Sequence, residues 1–198
     1  MLLLSKKHIR QAVTMRELIE ANKTAFSMLS ARKIEVPLRT SIRSQNGGAF
    51  LFMPSYASEL GAAAVKIVGF FPENVSRGLL TNPGQVLLID GETGYIQAVL
   101  DGGTVTQLRT GAASGAAFDL LAKKDCVKGA LIGTGGQAAA QLEAMLTVRP
   151  LKEVCVFSRS RENCRAFTER MQAELSRFPT EIRTADSAED CVRDGTPI

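Results

Sequence analysis

Six consecutive residues, Gly133-Thr134-Gly135-Gly136-Gln137-Ala138, carry the most specific chemistry in this sequence. They take the form G-x-G-x-x-A and stand where an apolar run, Val127 to Ile132, gives way to a helical pattern. Gly133 permits a tight turn, and Gly135 lets backbone approach a diphosphate, whose charge is attracted by the exposed amides of a helix start. At a strand-to-helix junction the pattern points to a bound dinucleotide; the alternative is a purely structural turn. A second apolar run, Glu153 to Phe157, ends in Ser158-Arg159-Ser160-Arg161. An acidic residue is usual there, accepting both ribose hydroxyls, whereas a serine followed by arginines suits a 2′-phosphate and favours NADP(H) over NAD(H). The competing reading makes Arg159 and Arg161 solvated helix-start residues and Ser158 or Ser160 a helix cap.

Three cations in the first part of the chain stand apart from the surface pattern. Arg39 lies in Val36-Pro37-Leu38-Arg39-Thr40, Lys66 is flanked by Ala64, Val65, Ile67 and Val68, and Arg109 precedes a run of small residues. Each could hold a carboxylate, an arginine bidentately. A partly buried lysine at position 66 could also exchange protons, although simple alternation onto a wet face explains it equally. With His8 as the sole histidine, imidazole catalysis and His-rich metal sites are effectively excluded, and no metal is expected. Cys126, Cys155, Cys164 and Cys191 lack the paired spacing of a zinc site and read as reduced packing residues.

These groups must be positioned by regular elements. Thr14-Met15-Arg16-Glu17 has the capping-box form, and Leu18, Ala21, Ala25, Met28 and Leu29 repeat at helical spacing, predicting a helix from Thr14 to Ala31. Strands are expected over 36–43, 49–56, 62–71, 85–89 and 95–100, with the glycines of Asp90-Gly91-Glu92-Thr93-Gly94 suited to a hairpin connection. They imply a mostly antiparallel sheet with a helix beside it. The helix over 104–123 contains Gly111 and Gly115, which signal either tight helix packing or a ligand-facing surface. From Asp125 onward the order is strand, helix, strand, helix, strand, a parallel βαβαβ unit.

Composition narrows the classes further. The chain has 198 residues, 45% hydrophobic, enough to bury a core. Its 24 basic and 20 acidic residues are interspersed without a long basic run, so no nucleic-acid partner is expected. The uncharged, Gly- and Ala-rich stretch 129–142 falls short of the roughly 20 apolar residues of a membrane span. Lys6 and Lys7 follow the first leucines in an order foreign to a secretory signal, and the protein reads as cytoplasmic with no membrane partner.

Pro37-Leu38-Arg39-Thr40, Phe52-Met53-Pro54, Val65-Lys66-Ile67-Val68, Phe71-Pro72-Glu73-Asn74, Leu88 to Gly94, Arg109-Thr110-Gly111-Ala112-Ala113-Ser114 and Ile132 to Ala138 occur in an order and spacing that resemble the ornithine cyclodeaminase and mu-crystallin family. The resemblance covers essentially the whole chain. It implies an α/β protein: an N-terminal α+β substrate-binding and dimerisation domain over 1–123, then the first half of a Rossmann dinucleotide-binding domain over 124–198. It further implies a homodimer acting on a small amino or imino acid with NAD or NADP. By matching position, Arg39 and Lys66 would contact the substrate's carboxylate and amino group, with Lys66 the catalytic candidate, and Arg109 would touch substrate and cofactor. Thr81 would face the cofactor, Gly133, Gly135, Gly136 and Gln137 its diphosphate, and Ser158 with Arg159 its ribose.

The implied reaction is cyclisation of ornithine to proline with loss of ammonia through internal hydride transfer. Alternatives within the family are a ketimine reductase or an amino acid dehydrogenase; outside catalysis, a small-molecule-binding fragment. The chain ends at Asp194-Gly195-Thr196-Pro197-Ile198, where the family's fourth Rossmann strand would begin. The sequence therefore reads as an incomplete member without the family's acid-base aspartate.

Overall fold

A computed structural model describes residues 1–193; the expectation attached to Asp194–Ile198 lies outside them. Backbone contacts divide the chain into two units, one of residues 1–14 and 24–106, the other of residues 15–23 and 107 onward.

The first unit is built on strands. β1 (Leu2–Leu4) is followed by α1 (Lys6–Ala12) and by α2 (Met15–Ser30), part of which belongs to each unit. β2 (Ile34–Glu35), β3 (Thr40–Arg43), β4 (Ala49–Ala57), β5 (Ala62–Phe70), β6 (Gly84–Asp90) and β7 (Ile96–Asp101) follow, and α3 (Gly102–Leu121) begins here. One seven-stranded sheet runs in the order β1-β7-β6-β5-β4-β2, with β3 also paired to β4. Every pairing is antiparallel except β1 with β7.

Two details differ from the sequence expectation. The continuous strand expected over 36–43 is split, because Pro37 lacks an amide for a ladder and residues 36–39 leave the sheet. The segment 2–4 gives no alternating signal, yet its register of Leu2 with Ala98 and Leu4 with Leu100 makes it a strand. In the loop after β6 only Gly94 has positive φ, +74°. Gly91 serves a close approach instead: a Cβ there would lie 2.6 Å from the carbonyl carbon of Gly61. Asp90 Oδ1 accepts the amides of Thr93 at 2.8 Å and Glu92 at 3.2 Å, closing the turn.

The second unit continues with β8 (Lys128–Ile132), α4 (Ala138–Val148), β9 (Glu153–Phe157), α5 (Arg161–Glu174), β10 (Glu181–Thr184) and α6 (Ala188–Arg193). Its three strands are parallel in the order β10-β9-β8, as the alternating pattern predicts; α6 is an addition. α5 stops at Glu174 rather than Arg177. The core joins Leu142 and Met145 of α4, Val154 and Val156 of β9, and Phe167 and Met171 of α5. A central parallel strand covered on both faces is apolar throughout, and each such side chain contributes about 1.5–3 kcal/mol on burial.

Within this unit the two helix glycines have a packing cause. A Cβ on Gly111 would lie 2.4 Å from the Ala140 carbonyl oxygen, and one on Gly115 would lie 2.7 Å from Ile19 Cδ1. The α4 backbone fills the space at Gly111 and the Ile19 side chain fills it at Gly115, leaving no room for a ligand at either position.

Candidate functional site

β8 ends at Ile132, and the chain reverses at Gly133, whose φ of +101° lies in the range that side chains rarely adopt. The Gly133 amide donates to the Phe157 carbonyl at 2.7 Å, tying the turn to the end of β9. Gly135 and Gly136 are glycine for another reason. A Cβ on either would meet no protein atom within 4 Å, so nothing in the chain itself demands their bareness. The backbone is left open immediately before α4, at the end where helix amides lack intrahelical acceptors. That opening fits a diphosphate.

A cavity of about 520 Å³ adjoins this turn. Gly133, Thr134 and Gly135 line one part of it; Ser158, Arg159 and Asn163 line another. Thr134 Oγ1 donates to Ser158 Oγ at 3.2 Å, which links the two parts. The serines of Ser158-Arg159-Ser160-Arg161 divide their work. Ser160 is the N-cap of α5, its Oγ accepting the Asn163 amide at 3.2 Å, while Ser158 stays on the cavity. The arginines divide as well: Arg159 lines the cavity, and Arg161 is ion-paired with Asp186. Gln137 is exposed and immediately precedes α4.

In the first unit the sheet carries one of the expected cations, Lys66, within β5. Lys66 pairs with Met53 on one side and Val86 on the other, is half-buried, and its Nζ lies 3.5 Å from Thr106 Oγ1. Arg39 lies outside the sheet, one residue before β3, whose Thr40 pairs with Phe52 of β4. Arg39 is exposed. Thr81 Oγ1 donates to Asn82 Oδ1 at 2.9 Å, and its carbonyl accepts the Phe71 amide at 2.8 Å. Arg109 is an exposed residue of α3, on the part that belongs to the second unit, and does not line the cavity.

Sequence reasoning singled out neither Thr134 nor Asn163. Thr134 is a variable position of the glycine pattern, and Asn163 is one polar residue among many on α5; only folding brings both to one cavity. A third omission is Arg149, 4% exposed. It donates to the carbonyls of Phe118, Asp119, Ala122, Lys123 and Val148 and to Asp119 Oδ1 at 3.0 Å. Asp119 also accepts from Lys23 at 2.6 Å. Hydrogen bonds from Lys23 and Arg149 pull the Asp119 carboxyl down to about 2.

The four cysteines are free and buried. Burial pushes the Cys191 thiol up to about 12 and raises Cys164 as well, so neither supplies a thiolate at neutral pH. Among the described residues no cluster of His, Cys, Asp or Glu could hold a metal, and no helix is long and apolar enough to cross a membrane.

A parallel βαβαβ unit with an open glycine turn after its first strand defines a mixed α/β protein with a Rossmann-like dinucleotide-binding fold. The chain belongs to the ornithine cyclodeaminase/mu-crystallin family, whose model matches residues 1–196. It is 36% identical over 178 residues to the Delta(1)-pyrroline-2-carboxylate reductase of Bacillus cereus, covering 89% of this chain and 55% of that protein. It is 32% identical over 183 residues to the L-lysine cyclodeaminase of Streptomyces rapamycinicus, covering 88% and 53%. Among solved structures, Thermococcus litoralis Delta(1)-pyrroline-2-carboxylate reductase in complex with NADH and L-proline superposes with a TM-score of 0.89 at 39% identity, over 98% of this chain and 60% of that one. The chain therefore spans little more than half the length of these relatives.

Proposed function

We propose that this chain is part of an NAD(P)H-dependent reductase of a small cyclic imino acid, of the pyrroline-2-carboxylate type. The observation that carries the reading is the open glycine turn, whose bareness no protein atom explains, in a chain 36% and 39% identical to two such reductases. On this reading residues 124–198 serve the dinucleotide, with Gly133, Gly135, Gly136 and Gln137 at its diphosphate and Ser158 and Arg159 at its ribose. Bound there, the reduced cofactor supplies hydride. Residues 1–123 serve the substrate: Arg39 holds the carboxylate, and Lys66 holds the proton at Nζ that the imine nitrogen requires. Arg109 and Thr81 complete the contacts to substrate and cofactor.

Large apolar residues left exposed in the first unit, among them Leu38, Phe50, Leu80 and Tyr95, support a homodimer formed through that unit. Four buried free thiols suit a reducing cytoplasm. A second reading, redox-neutral cyclisation of ornithine or lysine with loss of ammonia, is favoured by the 32% identity to a lysine cyclodeaminase.

The assay that separates them supplies Δ1-pyrroline-2-carboxylate with reduced cofactor and, in parallel, ornithine or lysine with oxidised cofactor. Loss of 340 nm absorbance with proline formed identifies the reductase; cyclic amino acid and ammonia without net cofactor change identify the cyclodeaminase. Lys66→Met should lower kcat/KM by about 10²–10⁴. An unchanged kcat/KM removes Lys66 from the site.

A further inference from the structure

The start of α3 is anchored to the sheet of the first unit at a defined point. Gly102 follows β7 directly, and a Cβ there would lie 2.5 Å from the Gly84 carbonyl carbon, so only a bare residue lets the helix start rest on the first residue of β6. Asp101 Oδ1 accepts the Thr104 amide at 2.7 Å and caps the first turn. Thr106, four residues beyond Gly102, stands on the same side of α3 one turn later. The sheet register supplies the other half of the placement. Gly84 pairs with Val68 and Val86 with Lys66, so the lysine sits one strand across from the helix anchor and two rungs along. The two meet: Thr106 Oγ1 is 3.5 Å from Lys66 Nζ, and both side chains are half-buried. Lys66 is flanked in the sheet by Met53 and Val86, whose side chains offer no strong hydrogen-bonding group.

We propose that Thr106 is a positioning residue for Lys66, holding its Nζ in place both before and after the lysine gives up a proton. The proposal rests on the role given to Lys66 above. A threonine hydroxyl suits the task because it accepts a hydrogen bond from an ammonium and donates one to a neutral amine. When an N–H bond of Lys66 breaks and the proton goes to the imine nitrogen, the lone pair left on Nζ accepts from the same hydroxyl, and the amine keeps its place. A carboxylate at position 106 would favour the charged lysine and hold the proton back. An apolar residue there would hold neither state.

The first measurement needs no turnover. In the isotope-labelled 198-residue chain, the ammonium signal of Lys66, assigned by its loss in Lys66→Met, reports how fast the Nζ protons exchange with water. Thr106→Val keeps the shape and removes the hydroxyl, and it should speed that exchange at least about threefold; Thr106→Ser should stay within about twofold of the parent chain. Circular dichroism verifies folding of each variant. A rate unmoved by Thr106→Val, or exchange in the parent chain as fast as that of a solvated lysine, overturns the proposal. The second measurement follows reduction of Δ1-pyrroline-2-carboxylate. Thr106→Val should lower kcat by about tenfold to a hundredfold with KM within about threefold, and Thr106→Ser should restore most of the loss. An equal kcat in the parent and Thr106→Val, or an equal loss in the valine and serine variants, overturns the positioning role. An unchanged kcat/KM in Lys66→Met overturns the reading of Lys66 itself, while the exchange rates still decide separately whether Thr106 holds Nζ.

Discussion

In the three-stranded unit Val154 and Val156 are wholly shielded from solvent, whereas in the seven-stranded unit β5 is half-buried from Ala62 to Gly69 and Leu38 stands 96% exposed. The contrast follows from topology. The crossover helices α4 and α5 pack with Val154 and Val156 of the central strand, and α6 packs on β8 and β9, so the second unit closes a core of its own. An antiparallel sheet joined by short turns brings no such cover with it. The two units differ in degree: the second buries most of its apolar side chains, Leu120 and Leu121 of α3 apart, whereas the first leaves many more at its surface.

The comparison can be broken most directly at Arg149. Its guanidinium gathers five carbonyls from the ends of α3 and α4 and the turn after α3, together with the Asp119 carboxylate, out of contact with water. Arg149→Ala strands those acceptors and should cost the second unit about 3–5 kcal/mol, measured by denaturant unfolding. A loss below about 1 kcal/mol would show that the unit does not depend on this anchor.

A smaller effect comes from acid. Asp119 titrates at about 2 in the folded chain against an ordinary 3.8, so its contribution is present above pH 3.8 and disappears as pH falls towards 2. Asp119→Asn should flatten that part of the stability-pH curve. An unaltered slope means that other carboxylates set the acid limb.

The smallest effect on stability belongs to the sheet unit. Leu38→Asp and Leu80→Asp replace residues 96% and 73% exposed and should shift the unfolding free energy of the isolated chain by less than about 0.5 kcal/mol. Light scattering should show the same pair abolishing self-association. Self-association that survives would show that this apolar surface does not mediate it.

Much of this was legible in residues alone. The βαβαβ alternation after Asp125, the inner faces of α4 and α5, and the antiparallel sheet all follow from apolar periodicity, because period 2 and period 3.6 are local properties of a chain. β1 was not legible: a three-residue run carries no alternation, and only β7 beside it makes it a strand. The same holds for the helix glycines. At Gly111 and Gly115 sequence left packing and ligand contact equal, and the approach of Ala140 and Ile19 decides for packing.

The candidate site divides along the same line. Sequence determined the glycine turn and the serine in place of an acid at position 158, because residue type and spacing at the ends of two successive strands are enough to define them; the cations at 39, 66 and 109 stood out by residue type and their apolar or small neighbours. Which serine caps, which arginine pairs with Asp186, and that Asn163 and Thr134 reach the cavity were decided by tertiary structure. Contacts between residues 24 or 25 positions apart, such as Thr134 with Ser158 and Arg161 with Asp186, leave no periodic trace in a sequence. They exist only once parallel strands have brought successive helix starts to one end of the sheet.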